Sequence, residues 1–519
     1  MLRLLVIGII ASAAGCAVGP NYRTPKPDAP AQFAATPNVA ASSNAAVDAN
    51  AAAAANSPTT VTVDLARWWK SLNDSELDSL VERAIRSNMD LDIALTHLQQ
   101  ARTYESVVIG SALPEIDASA AAARGTGSDL TKGRASSALR SADTGAGLQH
   151  INTIAGFDAV WEIDIFGKYR RAFEAARADA QAQLAARNGV LTSVVADVVR
   201  AYIDLRGFQM QAGVLHQASG VLSESLRIVN IRYQRGITNE LDVALAQREF
   251  DTMQAQVAPL DAEVRAAQYT LAVLLGEYPE TMAQELAAPG LIPSMPGAVA
   301  PGVPLDLLKR RPDIQQAERQ LAAATARIGV ATASLFPEVS LIGSVGSQSQ
   351  GWGATPDIGK HIWSFGPGAT WPLLDFGALD AQANIADLQA HVQLVNYRRT
   401  ILNAVQEVDT AVDGYAAQQD RLKVLGDAMT AGQRAVDLAT QRYDRGLTDF
   451  LNVVDAEREF YDLQRQYAEA QVTQGDEFVR LYKSLGGGWQ DYQSIPAMRR
   501  PQPAVIAAFR RLVASSAPQ

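Results

Sequence analysis

One 19-residue pattern occurs twice in this chain, and that repetition constrains the fold more than any other feature. Arg232 to Phe250 reads RYQRGITNELDVALAQREF and Arg442 to Phe460 reads RYDRGLTDFLNVVDAEREF, identical at 11 of 19 positions with a constant offset of 210. Each copy holds a helical run, a glycine suited to the left-handed residue that ends a helix (Gly236, Gly446), a threonine suited to N-cap the next (Thr238, Thr448), and a second helical run. Both copies read as helix-turn-helix tips.

After the first tip the apolar positions are Phe250, Met253, Val257, Leu260, Val264, Ala267, Leu271 and Leu274. Their spacing alternates three and four, the a/d seam of a coiled coil, so this helix needs helical neighbours. The second copy keeps the seam through Val453, Ala456, Phe460, Leu463, Tyr467 and Ala470 and loses it at Gln474 and Glu477. Pro259, with no counterpart at Glu469, predicts a kink in the first copy. Long helical runs precede both tips. Ala172 to Gln217 carries Val190, Val194, Val198, Tyr202 and Leu205, and Ala378 to Leu425 carries Ile385, Leu388, Val392, Val395 and Leu402. A run of roughly 45 residues is about 68 Å long, far more than a globular helix needs.

The period changes to two near Leu113. From Gly156 to Ile165, Phe157, Ala159, Trp161, Ile163 and Ile165 alternate with Asp158, Val160, Glu162 and Asp164, giving one apolar and one largely acidic face. A second hairpin follows the same plan: Val339, Leu341 and Val345 share a face on one arm, and Trp363, Phe365, Ala369, Trp371 and Leu373 on the other. Trp161, Phe166 and Gly167 match Trp371, Phe376 and Gly377 at the offset of 210, so the duplication includes strands. Pro114-Glu115 matches Pro337-Glu338 at an offset of 223, which assigns the 13-residue difference to the polar loop Gly125 to His150.

Cysteine occurs once, at Cys16, after Arg3, an apolar run from Leu4 to Ala11, and small residues. This is a signal peptide over residues 1–15 whose cleavage site resembles a bacterial lipobox, with Ala13 in place of the usual leucine; Cys16 would then carry lipid on its thiol. Residues 23–60 are Ala, Pro, Asn, Ser and Thr with few large apolar groups, and read as a mobile tether. Trp68 and Trp69 read as packing anchors, followed by a helix capped by Ser75 and a second from Leu91 to Ile109. Beyond the signal no apolar run reaches 18 residues, so a membrane crossing would need strands.

The formal charge of −10, with no basic tract to offset it, argues against nucleic acid as a partner. The five histidines are scattered, and no HExxH, CxxC or phosphate-cradling glycine loop is present, so neither an enzyme nor a metal site is indicated. Four strands cannot close a barrel alone, because open backbone edges are not tolerated in lipid. Up-and-down barrels need at least about eight strands, which requires several chains. A soluble periplasmic coiled-coil adaptor without a pore is the rival reading, and the alternating aromatic strands count against it.

The Cys16-Ala-Val-Gly-Pro-Asn-Tyr22 segment, the run from Leu307 to Pro337 (LLKRRPDIQQAERQLAAATARIGVATASLFP) and the duplicated R-Y-x-x-G tips together resemble the TolC-like outer membrane efflux channels, in particular the lipoprotein branch serving resistance-nodulation-division pumps. The resemblance implies a mainly α chain with a membrane β-barrel part, built from duplicated helix and β-hairpin repeats with four strands per chain. Three chains would form a 12-stranded barrel continuing into a long α-helical coiled-coil barrel. On this pattern residues 16–60 form the lipidated tether, 61–279 the first repeat, 280–304 the linker, 305–489 the second repeat and 490–519 a C-terminal tail. Implied partners are a homotrimer, a periplasmic adaptor (membrane fusion protein), an inner membrane pump and outer membrane lipid, with no cofactor. Asp242 and Asp455 match positions where the family places carboxylate rings at a constricted periplasmic entrance, and Tyr443 matches an aromatic of the closing network. The second ring position on the second tip is Asn452, and the closing arginine position is Thr448. The turns Arg235-Gly236-Ile237-Thr238 and Arg445-Gly446-Leu447-Thr448 are the implied adaptor-docking surface. Multidrug, heavy-metal and lipid or peptide export are all compatible with it.

Overall fold

The computed structural model describes residues 17–26, 34, 64–124, 151–297, 310–351 and 361–492. A 3₁₀ turn at Leu65–Leu72 leads into α1 (Ser75–Ser87) and α2 (Met89–Ser111), then strands β1 (Glu115–Arg124) and β2 (Ile151–Ile163). Next come α3 (Lys168–Gln234), α4 (Glu240–Leu274) and the short α5 (Pro279–Glu285). The second half runs α6 (Pro312–Ala333), β3 (Glu338–Gly351), β4 (His361–Thr370), α7 (Ala378–Asp444), α8 (Leu451–Ser484) and a final 3₁₀ turn at Gln490–Tyr492. Among the described residues no helix is long and apolar enough to cross a membrane.

The duplication extends to atomic detail. Both long helices, α3 and α7, span 67 residues, about 100 Å at 1.5 Å per residue. They run past Gln217 and Leu425, where the sequence reading stopped, directly into the tips; in α3, burial of Ala218, Leu222 and Val229 continues to support the helix. Each starts at a left-handed glycine, Gly167 (φ 83°) and Gly377 (φ 84°), which turns the chain out of its strand. At the foot of each hairpin a tryptophan indole donates to the end of the preceding helical segment, Trp161 Nε1 to Ala112 O and Trp371 Nε1 to Leu335 O, both at 3.1 Å. Those acceptors differ by 223 and the donors by 210, so the unequal spacing does fall between the strands. The polar loop Gly125 to His150 itself lies outside the described residues.

The four strands form one antiparallel sheet in the order β1-β2-β3-β4. Its register sets Ala118, Phe157, Val345 and Trp363 in one row and Ile116, Ala159, Gly343 and Phe365 in the next. Paired residues share a face, so the apolar face predicted by period-two alternation is continuous across the sheet. Phe157, Val345, Trp363 and Phe365 are all more than half exposed on a single chain. On the opposite face Asp117, Asp158, Ser344 and Ser364 make a polar row, with the two serine hydroxyls 2.8 Å apart. Two boundaries differ from the sequence reading. β2 ends at Ile163, where Ile165 N bonds back to Ile163 O at 2.8 Å. β4 ends at Thr370, ahead of Pro372, which has no N–H to donate, so Trp371 and Leu373 fall beyond the strand.

The main core gathers Trp68 and Trp69 with α1, the middle of α3 and the C-terminal third of α8. α1 is capped by Asp74, not Ser75: its carboxylate accepts from Glu76 N and Leu77 N, and an acidic cap outcompetes the hydroxyl one residue later. The predicted α4 seam is real, with Met253, Ala267 and Leu271 buried and the remaining seam positions half-buried against neighbouring helices. The helix continues through Pro259 from Glu240 to Leu274. The α7 heptad behaves differently. Ile385, Leu388, Val392, Val395 and Leu402 face away from the other described residues, each half or more exposed. The buried positions of this helix are Ala386, Ala390, Tyr397, Ile401, Ala404, Val408, Ala411 and Tyr415. Heptad spacing identified an apolar stripe, but a different stripe meets the chain's own helices.

Residues 17–26 lie across α3 and α6. Buried Arg171 donates to Val18 O, Gly19 O and Asn21 Oδ1, and Tyr22 donates to Glu318 Oε1 at 2.6 Å. A side chain on Gly19 would meet Gly329 Cα at 2.5 Å. Residues 18–22, which precede the stretch read as mobile, are thus packed, while Arg23, Thr24 and Lys26 are exposed; Cys16 and most of residues 27–63 lie outside the described residues.

Candidate functional site

The two tips are built alike. Gly236 (φ 72°) and Gly446 (φ 69°) take the left-handed conformation that only glycine adopts without strain, and open space surrounds both. Ile237 N then bonds Arg232 O and Leu447 N bonds Arg442 O, each at 2.9 Å, the 6→1 bond of a Schellman turn. This hydrogen bonding positions everything after the glycine, and it leaves Thr238 one residue and Thr448 two residues short of the cap position of the next helix. The predicted threonine caps are therefore corrected. Asn239 caps α4, accepting from Asp242 N at 3.0 Å, and Phe450 stands at the start of α8 with no side-chain cap bond. Thr238 instead donates to Asp242 Oδ2, and Thr448 Oγ1 accepts from Asn452 Nδ2 at 2.7 Å.

The predicted gate residues have distinct settings. Asp242 lies in the first turn of α4, where a carboxylate also favours the helix dipole, and is held by its own tip. Asp455 is about half exposed, with Arg458 at 3.8 Å one turn along. Tyr443 sits between the tips: the Arg232 guanidinium lies 4.7 Å from its ring centroid and the Phe450 ring 5.2 Å away, while its hydroxyl is buried with no hydrogen-bond partner among the described residues. Arg235 and Arg445, the predicted docking residues, are both exposed at the turns.

Sequence reasoning passed over three groups. Arg232 bridges the tips, stacking on Tyr443 and reaching Asp444 at 3.9 Å. Ile237, Leu241, Leu447 and Leu451 form an exposed apolar cap on the two turns; they are two pairs at the offset of 210, which was the available signal. Glu249 of α4 and Glu457 of α8 are both buried, and Glu457 Oε2 finds no hydrogen-bond partner among the described residues. Burial, then the charge of Glu249, pushes the Glu457 carboxyl up to about 7.

Residues 80–277 and 303–487, most of the chain, match the family described as outer membrane efflux protein. The chain belongs to that family. Among similar outer membrane efflux proteins, the solvent efflux pump outer membrane protein SrpC of Pseudomonas putida is 29% identical over 506 residues, covering 95% of this chain and 98% of that one. Nodulation protein T of Rhizobium leguminosarum bv. trifolii is 29% identical over 477 residues, covering 92% and 95%. The structure of the outer-membrane channel OprN superposes with a TM-score of 0.78 at 34% identity, covering 92% of this chain and 100% of that one. The Campylobacter jejuni channel CmeC, at 20% identity and a TM-score of 0.76, shows the same fold. This outer membrane efflux protein therefore has the channel fold of a β-barrel joined to a helical barrel, and serves as the outer membrane channel of an efflux pump in a Gram-negative envelope. Its family consists of transporters, not enzymes.

Proposed function

We propose that the chain works as a homotrimer whose closed barrel and helical tunnel conduct substrate passively from periplasm to exterior, gated at the tips and docked there to a periplasmic adaptor and an inner membrane pump of the resistance-nodulation-division type. The observation that carries the reading is the incompleteness of one chain: among the described residues the four-stranded sheet has unpaired β1 and β4 edges and an outward aromatic face, beside an apolar stripe on α7, about 26 Å long, whose residues are each half or more exposed. Neighbouring copies supply the missing edges and cover the stripe, and lipid covers the aromatic face. Residues 16–60 form the N-terminal tether and Cys16 carries the lipid; the docking of Val18 N onto Phe166 O at 3.1 Å, at the junction of strand and helix, supports a lipid held at membrane level. Residues 61–279 and 305–489 are the two repeats, joined by 280–304, with 490–519 as the tail.

In the trimer, Asp242 and Asp455 bring six carboxylates near one axis, which attracts cations and narrows the resting entrance. Reconstituted in planar bilayers, the wild type is expected to give small cation-selective currents, and Asp242→Ala with Asp455→Ala larger, less selective ones. Unchanged currents would retire the gate and keep the pore, while no current in either would return the soluble adaptor reading. For docking, Gly236, Thr238, Gly446 and Thr448 shape the turns, while Arg235, Arg445 and the apolar cap contact the adaptor. Charge reversal of both arginines is expected to abolish adaptor crosslinking and pump-dependent resistance while leaving bilayer conductance intact; preserved crosslinking and resistance would remove the arginines from the interface.

A further inference from the structure

The duplicated tips present the same arginine–tyrosine dipeptide twice, Arg232-Tyr233 and Arg442-Tyr443, yet within one chain a single crossed pair is made: Arg232 of the first tip on Tyr443 of the second, at 4.7 Å. The mirror-image pair is left over. Tyr233 is 43% exposed, Arg442 is exposed, and among the described residues neither has an ion pair or ring contact. We infer that Arg442 of each chain stacks on Tyr233 of the neighbouring copy, so that the leftover pair latches one protomer's second tip to the next protomer's first.

The argument is geometric and rests on the trimeric reading above. In a closed ring built from three chains the repeats alternate, first, second, first, second. Every junction between first and second repeats lies within a chain, and every junction between second and first repeats lies between chains. Matching 67-residue helices and matching Schellman turns put the two tips at the same distance along the tunnel, so the two kinds of junction are approximately equivalent. The junction within the chain joins the arginine of its first repeat to the tyrosine of its second; the equivalent between chains joins the arginine of the second repeat to the tyrosine of the first. Adjacent helical residues point about 100° apart, so one tip offers its arginine to one flank and its tyrosine to the other. A guanidinium over a tyrosine face is favourable and tolerates the sliding that tip opening requires, unlike a fixed bidentate ion pair. The equivalence is not complete: Phe450 and Asp444, which flank the internal pair, are Glu240 and Gln234 in the first repeat. The contact between chains thus lacks the flanking aromatic and is the more easily opened of the two.

The test uses the full-length protein in detergent, where Cys16 is the sole native cysteine. Tyr233→Cys with Arg442→Cys, treated with a short bismaleimide, is expected to give covalent dimers and trimers that are lost in either single variant. Arg232→Cys with Tyr443→Cys is expected to crosslink only within the chain. Absence of interchain product from the first pair in particles that light scattering shows to be trimers, while the second pair still closes, would overturn the latch and leave the trimer standing. A monomeric particle would overturn both. A second measurement does not depend on reagent reach: Tyr233→Leu and Arg442→Gln are each expected to lower the temperature at which the trimer dissociates, and the double variant no further than the worse single one, whereas Tyr233→Phe keeps the native value. Additive losses would overturn the pairing.

Discussion

Trp68→Ala is expected to lower the stability of the folded chain by about 3–5 kcal/mol, the range for truncating a fully buried large aromatic side chain. Trp68 is 1% exposed and stacks on Tyr482 at 5.3 Å with rings 7° from parallel, edge-on to Trp69 and Phe478. It also packs on the turn at the end of α8: a side chain on Gly487 would meet Trp68 Cδ1 at 3.1 Å, and one on Gly488 would meet Trp68 Nε1 at 3.3 Å. Its removal opens a cavity where the N-terminal turn, α3 and α8 meet. Denaturant or thermal unfolding in detergent, followed by near-ultraviolet circular dichroism, would register the loss, and Trp68→Phe should recover part of it. A variant within 1 kcal/mol of wild type would show that this cluster does not anchor the helices.

Glu457→Gln is expected to change how stability depends on pH. The Glu457 carboxyl stands at about 7 against an ordinary 4.5, so the folded state favours its neutral form. Protonated, below pH 4.5, the group costs nothing relative to the unfolded chain. As pH rises from there towards 7 the folded state loses stability, and above 7 the loss levels off at roughly 3 kcal/mol. Burial is the first cause of the direction, and the charge of Glu249 adds to it. Glu249 lies across from it on α4, with Arg248 only at 3.7 Å from Glu249, and Tyr461 lies one turn along α8, its hydroxyl itself pushed up to about 12 by burial and by Glu457. The glutamine variant should therefore equal wild type near pH 4 and exceed it at pH 8, with Glu249→Gln giving a partial effect. Equal slopes for wild type and Glu457→Gln would mean that the carboxyl is hydrated and does not report on packing between the tip helices.

Much of this was open to a reader of the sequence because it rests on local rules. The period of three and four after Phe250 marked the α4 seam, the period of two around Phe157 marked a strand with distinct faces, and glycines 210 residues apart marked the two turns. Each signal is a property of consecutive residues obeying helix or strand geometry, and each holds in the structure. The errors arose where two local solutions compete. Thr238 and Thr448 are good caps by type, but the Schellman turn starting at Gly236 and Gly446 determines where the next helix begins. Similarly, α7 carries two apolar stripes, one of small residues with Tyr397 and Ile401 and one of Ile385, Leu388 and Val392; spacing alone does not say which one faces the chain itself.

The sequence by itself determined that the chain is two copies of one plan, that each copy pairs a strand hairpin with helices far longer than a globular core requires, and that both copies end in a turn. Covalent order and side-chain period suffice for those statements. Only the tertiary structure decided that Arg232 meets Tyr443 while Arg442 and Tyr233 are left unmatched, and that Glu249 and Glu457 face one another out of water. Those meetings depend on how helices about 210 residues apart are rotated against each other. Rotation is settled by packing summed over whole helix faces, and no single residue's neighbours in sequence record it.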